Sequence, residues 1–556
     1  MGPPRAGPVD VDVVVIGGGV NGAGVARDAA LRGLRVALFE RNDFAFGASG
    51  NSSGMIHGGP RYLTYDPSVT LSSCQDSGYI QDIAPHLLFR IPFLFPIPKV
   101  RGAKVFLELL DGFFEAYDKY QPLKRGKPHA RLTESEVRRL EPGLSGEMVG
   151  AMAFDEWGID GPRLVLANAV DAREHGARLS VHTTVERILR DPRGHVTGVI
   201  TRDLLTGART TTTCHAVVNA TGAWAPIAAS LAGLPQKAAP IRGGKGIHVV
   251  YDRRISNFAV VARTVDGRQI FIYPWENMTV LGTTDDDYYG DLDDVNATVD
   301  EVRYLEQAIA RMLPGIRDAR AIGTYAGVRP TLYAWGKNED KLSREHEVLD
   351  HEKDGAKGLF SMVGGKLASY RIFAKEATDA VAHYLGRNEP CSTHRSPLPG
   401  GESRADALIL GERFSVDAVA ARRLVYRHGG RADAVLARTQ RSPKEARVVC
   451  PCEPVLEAEV RHVIAHEHAR TVADVSRRTR LGLGACGGMR CALACGAIVA
   501  EETGLSPRAG RSQALRFLGT QAMRRSVALG PLQARQEALA IASLRAEIGL
   551  HQDEER

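Results

Sequence analysis

The chain has 556 residues, a length that predicts three or four domains. A hydrophobic fraction of 44% and a charged fraction of 24% are typical of folded globular proteins, and they exclude a disordered or collagen-like chain. The net charge is +6, and residues 401–556 hold the whole excess, with 24 Lys and Arg against 18 Asp and Glu. Because no block of like charges accompanies this excess, we expect no nucleic-acid partner. The basic end instead predicts a docking surface for an acidic partner or an anionic membrane.

The chain shows no apolar run of transmembrane length, and its first residues lack the pattern of a signal peptide. We therefore expect a cytoplasmic protein with reduced cysteines. Eight cysteines are too few for a disulfide scaffold at this length, and four of them are grouped near residues 450–491. This grouping favours metal chemistry over covalent cross-linking.

The first element pattern is that of a βαβ unit. Residues 11–16 predict a buried strand, 23–32 a helix and 35–39 a second strand. Gly17, Gly19 and Gly22 form GxGxxG between the first strand and the helix, and Glu40 follows the second strand. Glycines allow a sharp turn that brings a pyrophosphate to the helix N-terminus. A carboxylate at the position of Glu40 can accept hydrogen bonds from ribose hydroxyls. The pattern predicts a dinucleotide site.

The GxGxxG motif and Glu40 alone do not distinguish an NAD site from an FAD site. Three later segments are suited to further contacts with the cofactor: the small-residue run GASGNSSG at 47–54, NATGAW at 219–224 and GGK at 364–366. Such repeated returns of the chain to the cofactor favour a flavin that lies extended through the domain. Further strands are predicted at 216–220, 279–282 and 359–363, so the sheet is expected to be assembled from distant pieces. A second domain is expected from the intervening segments.

Six motifs carry a family resemblance. They are GGGVNGAG at 17–24, IHGGPRYL at 56–63, RLVLANA at 163–169, NATGAW, GTYAGVRP at 323–330 and GGKLASYR at 364–371. In this order, over about residues 10–385, they resemble the FAD-dependent glycerol-3-phosphate dehydrogenases. The resemblance implies a flavoprotein with a substrate cap that oxidises sn-glycerol 3-phosphate to dihydroxyacetone phosphate and passes electrons toward quinone.

The resemblance also implies the site residues. The expected FAD-binding residues are Gly17, Gly19, Gly22, Glu40, Arg41, Ser49, Ser52, Ser53, His57, Val185, Thr221, Gly222, Gly365, Lys366 and Leu367. The expected substrate-binding residues are Arg61, Tyr62, Arg329 and Lys366, and the expected catalytic residues are His248, Arg329 and Arg344.

Residue chemistry agrees with these roles, because a phosphate dianion needs fixed cations and oxidation of an alcohol needs a group that takes its proton. Our hypothesis is that His248 handles the hydroxyl proton while Arg329 lowers the energy of the alkoxide. Pro60 departs from the expected motif, and its fixed φ could shift Arg61. The alternatives are a related amino-acid or 2-hydroxy-acid dehydrogenase or oxidase, and a non-catalytic electron-transfer subunit.

The grouped cysteines form C-x-C at Cys450 and Cys452 and C-x4-C at Cys486 and Cys491. Four thiolates can hold a [2Fe–2S] cluster, with zinc as the competing metal, although C-x-C is uncommon in zinc sites. The glycine-rich segment 478–491 resembles the bacterioferritin-associated-ferredoxin-like [2Fe–2S] domain that ends the large subunit of the anaerobic enzyme of this family. Residues 426–437 also resemble part of that large subunit.

These observations predict an α/β fold, in which a discontinuous Rossmann-like FAD-binding domain carries an α+β cap and a mainly helical C-terminal [2Fe–2S] domain. The expected boundaries are 9–90, 150–240 and 321–388 for the FAD domain, 91–149 and 241–320 for the cap, 389–445 for a helical linker, 446–505 for the cluster domain and 506–556 for a helical tail. The expected partners are glycerol 3-phosphate, quinone or a quinone-reducing membrane-anchor subunit, and a second flavin subunit. Lys99, Arg101 and Lys104, within the apolar segment 87–114, add an expectation of peripheral attachment to the inner face of the cytoplasmic membrane, although burial is the favoured interpretation of that segment.

Overall fold

The computed structural model describes residues 9–64, 66–333, 336 and 345–548, and of Arg61 the backbone alone. Within these residues the strands are β1 Val13–Ile16, β2 Val36–Phe39, β3 Leu88–Pro98, β4 Ala130–Leu132, β5 Met148–Ile159, β6 Arg178–Ser180, β7 Thr183–Arg190, β8 Val196–Asp203, β9 Arg209–Thr213, β10 Ala216–Asn219, β11 Ile241–Tyr251, β12 Ala259–Arg263, β13 Gln269–Trp275, β14 Met278–Gly282, β15 Asp286–Asp287, β16 Ala321–Leu332, β17 His346–Asp350, β18 Leu359–Gly364, β19 Val448–Cys450 and β20 Val455–Leu456.

The helices are α1 Val20–Leu31, α2 Pro67–Ile83, α3 Ala103–Asp118, α4 Glu134–Leu140, α5 Gly161–Glu174, α6 Ala225–Ser230, α7 Val299–Ile309, α8 Tyr370–Tyr384, α9 Ala407–Phe414, α10 Ala418–His428, α11 Ala432–Arg441, α12 Glu457–His466, α13 Val472–Thr479, α14 Ala492–Thr503, α15 Pro507–Ser526 and α16 Pro531–Glu547. Among the described residues, none of these helices combines the length and the apolarity that crossing a bilayer requires.

The first sheet is the Rossmann-like core. Its strand order is β17-β18-β10-β1-β2-β6, with β18, β10, β1, β2 and β6 parallel and β17 antiparallel at one edge. The central strands β1, β2 and β10 are buried along their whole length, as expected for parallel strands with both faces covered. Helices α1, α5 and α8 pack together beside this sheet in one apolar cluster. Burial of this cluster places the N-terminus of α1 at the carboxyl ends of the parallel strands, where ligands bind in such sheets.

The second sheet forms the cap, and its strand order is β15-β11-β14-β13-β12-β3-β5-β4, with β16 paired to β11. Its pairs are antiparallel except that of β12 with β3. The long strands β11 and β16 run side by side, so that Gly244 lies opposite Arg329 and His248 lies opposite Tyr325. The cap therefore brings two expected site residues to neighbouring strands.

The placement of three segments differs from the sequence-based expectation. The strand predicted at 279–282 belongs to the cap sheet as β14, and not to the first sheet. Strands β5 and β16 also lie in the cap sheet, whereas the sequence predicts residues 150–159 and 321–332 in the FAD domain. The physical reason is that β5 and β16 obtain their backbone hydrogen bonds from β3 and β11, far away in the sequence. Local apolar patterns do not reveal such partners.

The C-terminal part is mainly helical, with the short hairpin β19–β20 as its strands among the described residues. Its own apolar cluster joins the hairpin to α12, α13, α14 and α15. Buried ion pairs attach it to the first domain. Arg478 donates to both carboxylate oxygens of Asp43 at 2.7 and 2.8 Å, and Arg163 binds Glu467 at 2.7 Å. The predicted architecture, an α/β core with a Rossmann-like sheet, a cap and a mainly helical C-terminal part, is confirmed.

Helix α3 is only partly buried, which differs from the favoured interpretation of segment 87–114. Strand β3 of this segment is central in the cap sheet, whereas Val105 and Leu109 on α3 are 65% and 69% exposed. Val100, just before the helix, is 68% exposed. The helix therefore presents an apolar outer face that the described chain leaves uncovered.

Candidate active site

The turn after β1 has the geometry of a pyrophosphate-binding loop. Gly17 has φ +108°, and a Cβ atom on Gly22 would lie 1.9 Å from the carbonyl oxygen of Gly17. Any side chain at Gly22 would therefore break the contact between the turn and the first turn of α1. Gly19 is the N-cap residue of α1, so the helix N-terminus opens onto the turn.

Glu40 lies beside this turn and is held by the backbone. The amide of Gly18 donates to its Oε2 atom at 2.6 Å and the amide of Asn42 donates to its Oε1 atom at 2.7 Å. Burial raises the pKa of Glu40, which these two hydrogen bonds counteract. The carboxylate is thereby fixed in orientation at the edge of a cavity of about 310 Å³.

This smaller cavity collects the residues expected at the nucleotide half of the cofactor. Its walls include Gly17, Gly19, Glu40, Arg41, Ser49, Val185, Thr221 and Gly222. Arg41 also lies over the ring of Trp224, with 5.7 Å between its Cζ atom and the ring centroid, and forms an ion pair with Asp293. The ring of Trp224 and the carboxylate of Glu40 at this cavity are a suitable environment for a nucleoside.

A larger cavity of about 590 Å³ continues from the smaller one. The two cavities share Val20, Asn21, Ala48, Ser49 and Pro330 as wall residues. Ser52, Ser53, His57, Gly365, Lys366 and Leu367, all expected at the flavin, line the larger cavity. An elongated space with a glycine turn at its middle fits FAD, whose two halves need one continuous groove.

The loop of residues 47–54 lines both of these cavities where they meet. Ser49 accepts a hydrogen bond on Oγ from the amide of Val20 at 3.0 Å, which joins the loop to α1. The hydroxyl of Ser52 accepts from the amide of Gly54 at 3.3 Å. The loop is therefore held by short-range hydrogen bonds of its own small side chains, as expected for a segment that wraps a ligand closely.

His248 lies on β11 and faces the larger cavity while being only 2% exposed. Its Nε2 atom lies 2.8 Å from Oγ of Ser53, and its ring stacks on Tyr325 with 4.6 Å between centroids. Burial, together with the nearby charge of Arg329, lowers the pKa of His248 to about 3. The imidazole is therefore neutral at physiological pH, with its Nδ1 atom buried and without a hydrogen-bond partner among the described residues.

Arg329 lies on β16 and lines the same cavity. Its guanidinium donates to Oδ1 of Asp285 at 2.9 Å and to Oγ1 of Thr283 at 2.9 Å. It packs over Gly246, where a Cβ atom would lie 2.3 Å from Nη2. These contacts fix the guanidinium on the face of β11 that also carries His248.

Lys366 and Tyr62 form the third expected group. The Nζ atom of Lys366 lies 4.5 Å from the centroid of the Tyr62 ring, and Tyr62 is 5% exposed. His57 stacks on Tyr62 with 6.5 Å between centroids. The backbone of Arg61 lies in the helical turn Pro60–Thr64 next to these residues. Arg344 lies outside the described residues, so its expected catalytic role stays a prediction.

The cavity also contains an acidic residue that the sequence analysis missed. Glu156 on β5 lines it, accepts a hydrogen bond from the hydroxyl of Tyr117 at 2.6 Å and pairs with Lys124 at 2.6 Å. The amide of Gly58 donates to its other oxygen at 3.3 Å. Glu156 thereby holds the turn that carries His57. The sequence feature that could have indicated Glu156 is an acidic residue within an apolar strand. Asp285, the partner of Arg329, was also missed, and the run GTTDDD at 282–287 could have indicated it.

The four grouped cysteines come together in the C-terminal part. Cys450 ends β19 and Cys452 follows it, while Cys486 and Cys491 lie in the glycine-rich loop between α13 and α14. Cys450 is in hydrogen-bond contact with Cys491, and Cys452 is in contact with Cys486. Each sulfur of the C-x-C motif is therefore in contact with one sulfur of the C-x4-C motif.

The loop that carries Cys486 packs closely against the hairpin that carries Cys452. A Cβ atom on Gly484 would lie 2.5 Å from Cβ of Cys452, so the loop approaches the hairpin at a distance that only glycine permits. Two contacting thiol pairs fit the donor set of a [2Fe–2S] cluster, in which each iron takes two thiolates. Among the described residues no three of these sulfurs lie within 4.8 Å of one another, so a zinc ion bound by all four would require the two pairs to move together.

Comparison with protein families agrees with the fold and the cavities. Residues 12–370 match the family described as FAD dependent oxidoreductase, and residues 391–509 match the C-terminal domain of alpha-glycerophosphate oxidase. The Rossmann-like sheet, the glycine turn and the elongated cavity define the chain as an FAD-dependent oxidoreductase.

Similar proteins narrow this class. One subunit of the anaerobic glycerol-3-phosphate dehydrogenase of Escherichia coli (strain K12) is 34% identical over 489 residues, which cover 86% of this chain and 86% of that protein. A glycerol-3-phosphate dehydrogenase of Synechocystis sp. is 33% identical over 91% of this chain and 92% of its own length. The crystal structure of glycerol-3-phosphate dehydrogenase from Bacillus halodurans complexed with FAD has a TM-score of 0.73 at 27% identity, covering 94% of this chain and 96% of that one. The chain belongs to the FAD-dependent glycerol-3-phosphate dehydrogenase family, as the motifs predicted.

Proposed function

We propose that the chain oxidises sn-glycerol 3-phosphate to dihydroxyacetone phosphate. The observation that carries this proposal is the convergence of His248, Arg329 and Lys366 on one cavity of about 590 Å³ that continues into the dinucleotide turn. The names of similar proteins support the choice of substrate. Bound FAD supplies the hydride acceptor for the hydrogen on the carbinol carbon.

The residues of the chain supply positioning and proton transfer. The neutral imidazole of His248 accepts the hydroxyl proton as the carbinol hydrogen leaves, because a neutral ring nitrogen has a free lone pair at physiological pH. Arg329, fixed by Asp285 and Thr283, stabilises the negative charge that develops on the alcohol oxygen. The stack on Tyr325 keeps the ring of His248 at a constant angle to the cavity.

The phosphate group requires cations at the other end of the substrate. We assign Lys366 to it, with Tyr62 packed against the ammonium group, and we assign Arg61 on the basis of its motif. A dianion gains more from several fixed cations than a monovalent carboxylate does, so this set favours a phosphate ester over an amino acid or a 2-hydroxy acid.

One anaerobic titration tests the proposal. Stepwise addition of sn-glycerol 3-phosphate to the FAD-loaded protein should bleach the flavin absorbance with one equivalent of product formed per flavin. Glycerol, glycine and lactate at the same concentrations should leave the absorbance unchanged. Bleaching by glycine or lactate at lower concentrations than glycerol 3-phosphate would assign the site to a carboxylate substrate instead.

We further propose that Cys450, Cys452, Cys486 and Cys491 hold a [2Fe–2S] cluster. Support comes from the two contacting thiol pairs and from the C-x-C spacing, which zinc sites rarely use. When bound, a cluster would supply one-electron transfer, which complements a flavin that is reduced by two electrons. The glycine-rich loop presents backbone amides that can donate to cluster sulfurs.

Metal analysis of anaerobically purified protein tests this assignment. We expect two iron atoms and two labile sulfides per chain, and their loss in Cys491→Ser. The matched control is Cys495→Ala, because Cys495 is also buried and lies one helical turn away on α14. Stoichiometric zinc without iron would contradict the cluster.

We also propose that electrons leave toward quinone through a membrane-anchor partner or a second flavin subunit, with the chain attached peripherally to the membrane. The exposed apolar face of α3, Val105 and Leu109, lies beside Lys104 and Arg101, a combination suited to anionic lipid. Flotation with phosphatidylglycerol vesicles should be reduced at least fivefold in Val105→Asp/Leu109→Asp. Leu408→Asp, at an equally exposed position on α9, should float like the parent. Equal flotation of the parent, the α3 double variant and Leu408→Asp would contradict attachment through α3.

A further inference from the structure

A third cavity, of about 480 Å³, lies between the FAD-binding part, the cap and the C-terminal part. The first two contribute the outer side of the 47–54 loop, the start of α5 and the cap strands β11, β13, β14 and β16. The third contributes α13 and α15. Ser49, Asn51 and Ser52 line both this cavity and the larger active-site cavity, so the two spaces are separated by the thickness of one loop. Neither the oxidation of the alcohol nor the cysteine site uses this space.

The lining is strongly basic. Arg477, Arg480, Arg516 and Arg524 border the cavity, whereas Asp160 is its acidic wall residue among those described. Arg477 and Arg480 have carboxylate partners in Asp43 and Glu453. Arg516 and Arg524 have none within the described part of the chain. Arg516 is exposed at the rim and Arg524 is partly buried, so two positive charges without a carboxylate partner in the described part of the chain border the space.

Arg524 is the most informative of these residues. It is partly enclosed, and its backbone oxygen accepts from the hydroxyl of Thr324, which fixes this part of α15 against β16. Burial and the neighbouring charge of Arg477 lower the pKa of Arg524, so the folded chain holds this cation at an energetic cost. A guanidinium in such a position is stabilised by an anion that the chain itself does not provide.

Two further observations point to a ligand. The Oε1 atom of Gln513 on α15 is buried and has no hydrogen-bond partner among the described residues. Because amide orientation is interchangeable, this group offers an acceptor or, when rotated, an N–H donor to a ligand. The N-termini of α5 and α13 also reach the cavity through Gly161 and Val472, and helix N-termini add positive potential.

The remaining wall is apolar. Trp275, Met278, Val280, Leu483 and Phe517 line it, and the guanidinium of Arg480 lies 5.3 Å from the centroid of the Trp275 ring. A volume of about 480 Å³ is in the range of small-molecule sites. The combination of an apolar wall and a set of arginines selects a ligand with an apolar or aromatic body and one anionic group.

We propose that this cavity is a second ligand site, which binds a small amphipathic anion such as an aromatic phosphate or carboxylate through Arg516, Arg524 and Gln513. The ligand contacts the loop whose other side lines the active site. The site does not depend on the activity proposed above, because none of its three polar residues lines the cavity that holds His248.

Fluorescence titration of the oxidised, FAD-loaded full chain with 8-anilinonaphthalene-1-sulfonate tests the proposal. We expect the Kd to rise at least tenfold in Arg516→Ala/Arg524→Ala. Thr520→Glu, which adds a negative charge at an exposed wall position, should have an effect of the same direction and size. Arg511→Ala, an exposed arginine of α15 outside the cavity, should bind the probe like the parent. The KM for glycerol 3-phosphate should stay within twofold in all of these variants.

Competition defines the chemistry of the ligand. Phenyl phosphate should displace the probe, whereas phenol and inorganic phosphate should require at least tenfold higher concentrations, because each lacks one half of the recognised structure. The proposal is overturned if the double variant binds the probe within threefold of the parent. Displacement by phenol as readily as by phenyl phosphate would overturn it as well, since the arginines would then have no role.

Discussion

The Nε2 atom of His248 lies 2.8 Å from the Oγ atom of Ser53, so a residue of the cap sheet is joined to the loop that lines the flavin-side cavity. The ring is held on its face by Tyr325 and at one nitrogen by Ser53, which leaves few orientations open to it. This contact connects the part of the chain that contributes the proposed proton acceptor to the part that contributes the cofactor groove.

Loss of this contact should slow flavin reduction without loss of FAD. His248→Ala should reduce the rate of reduction by glycerol 3-phosphate about 100-fold or more, which is the range for removal of a general base. Ser53→Ala should reduce it about fivefold, because the imidazole remains but is less well oriented. Stopped-flow absorbance under anaerobic conditions measures both rates, with Ser135→Ala, at an exposed position on α4, as the control. A rate for His248→Ala within twofold of the parent would contradict the role of the histidine.

Arg329 should act mainly through the reacting end of the substrate. Arg329→Ala should lower kcat/KM for glycerol 3-phosphate by about 100-fold, since a hydrogen bond to a charged group contributes roughly 1.5–3 kcal/mol. Asp285→Asn should have a smaller effect of the same sign, because the guanidinium is retained but loses its ion pair. Steady-state kinetics with a dye acceptor measure this, and Arg253→Ala, which is exposed, is the matched control. Equal kinetics for Arg329→Ala and Arg253→Ala would exclude the assigned role.

The buried pair of Asp43 and Arg478 should be important for stability. Asp43→Asn leaves an uncompensated guanidinium that is fully buried, and removal of one partner of a buried pair costs about 3–5 kcal/mol. We expect a clear decrease of the thermal midpoint, by about 5 °C or more. The exposed pair of Asp433 and Arg413 provides the control, because Asp433→Asn should cost under about 1 kcal/mol. Scanning calorimetry distinguishes the two outcomes, and an equal, small effect of both substitutions would contradict this account.

Stability should decrease in mildly acidic solution. Burial lowers the pKa of His86 and His462 to about 3 and that of His468 to about 4, whereas an unfolded chain binds protons at these residues near pH 6.5. Each depressed histidine pKa therefore contributes stability that is fully present above about pH 6.5 and is lost as the pH falls toward the folded value.

His462→Gln removes one of these groups. The difference in thermal midpoint between pH 7 and pH 5 should become smaller in this variant, by an amount equivalent to at most about 1.4 kcal/mol per pH unit. His383→Gln, at an exposed position on α8, should retain the pH dependence of the parent. If His462→Gln showed an unchanged or steeper dependence, the histidine would not be one of the groups responsible.

The local parts of the fold could be predicted from the sequence, because short-range patterns determine them. The predicted strand, turn and helix at 11–32 correspond to β1 and α1, because a short apolar run followed by a glycine turn and a helical pattern is typical of a βα unit. The cap could not be predicted in the same way. Strand β16 pairs with β11 although residues 252–320 lie between them in the sequence, and nothing in its own residues indicates that partner.

The candidate site shows the same division. His248, Arg329 and Lys366 were assigned through family motifs, and the structure places all three at one cavity. Glu156 and Asp285 were missed because their roles depend on contacts with Gly58 and Arg329, which are distant in the sequence. The third cavity was missed entirely, since its arginines are separated among helices whose packing the sequence does not reveal.

The buried pairs that join Asp43 to Arg478 and Arg163 to Glu467 also limit how the chain can be divided. A protein cut near residue 390 would retain Asp43 and Arg163 on a surface built to be covered, with charges facing solvent beside apolar contacts. Limited proteolysis in the linker should therefore yield fragments that stay associated rather than two independent units. The cysteine-bearing end is continuous in sequence, but physically it completes the surface of the flavin-binding half.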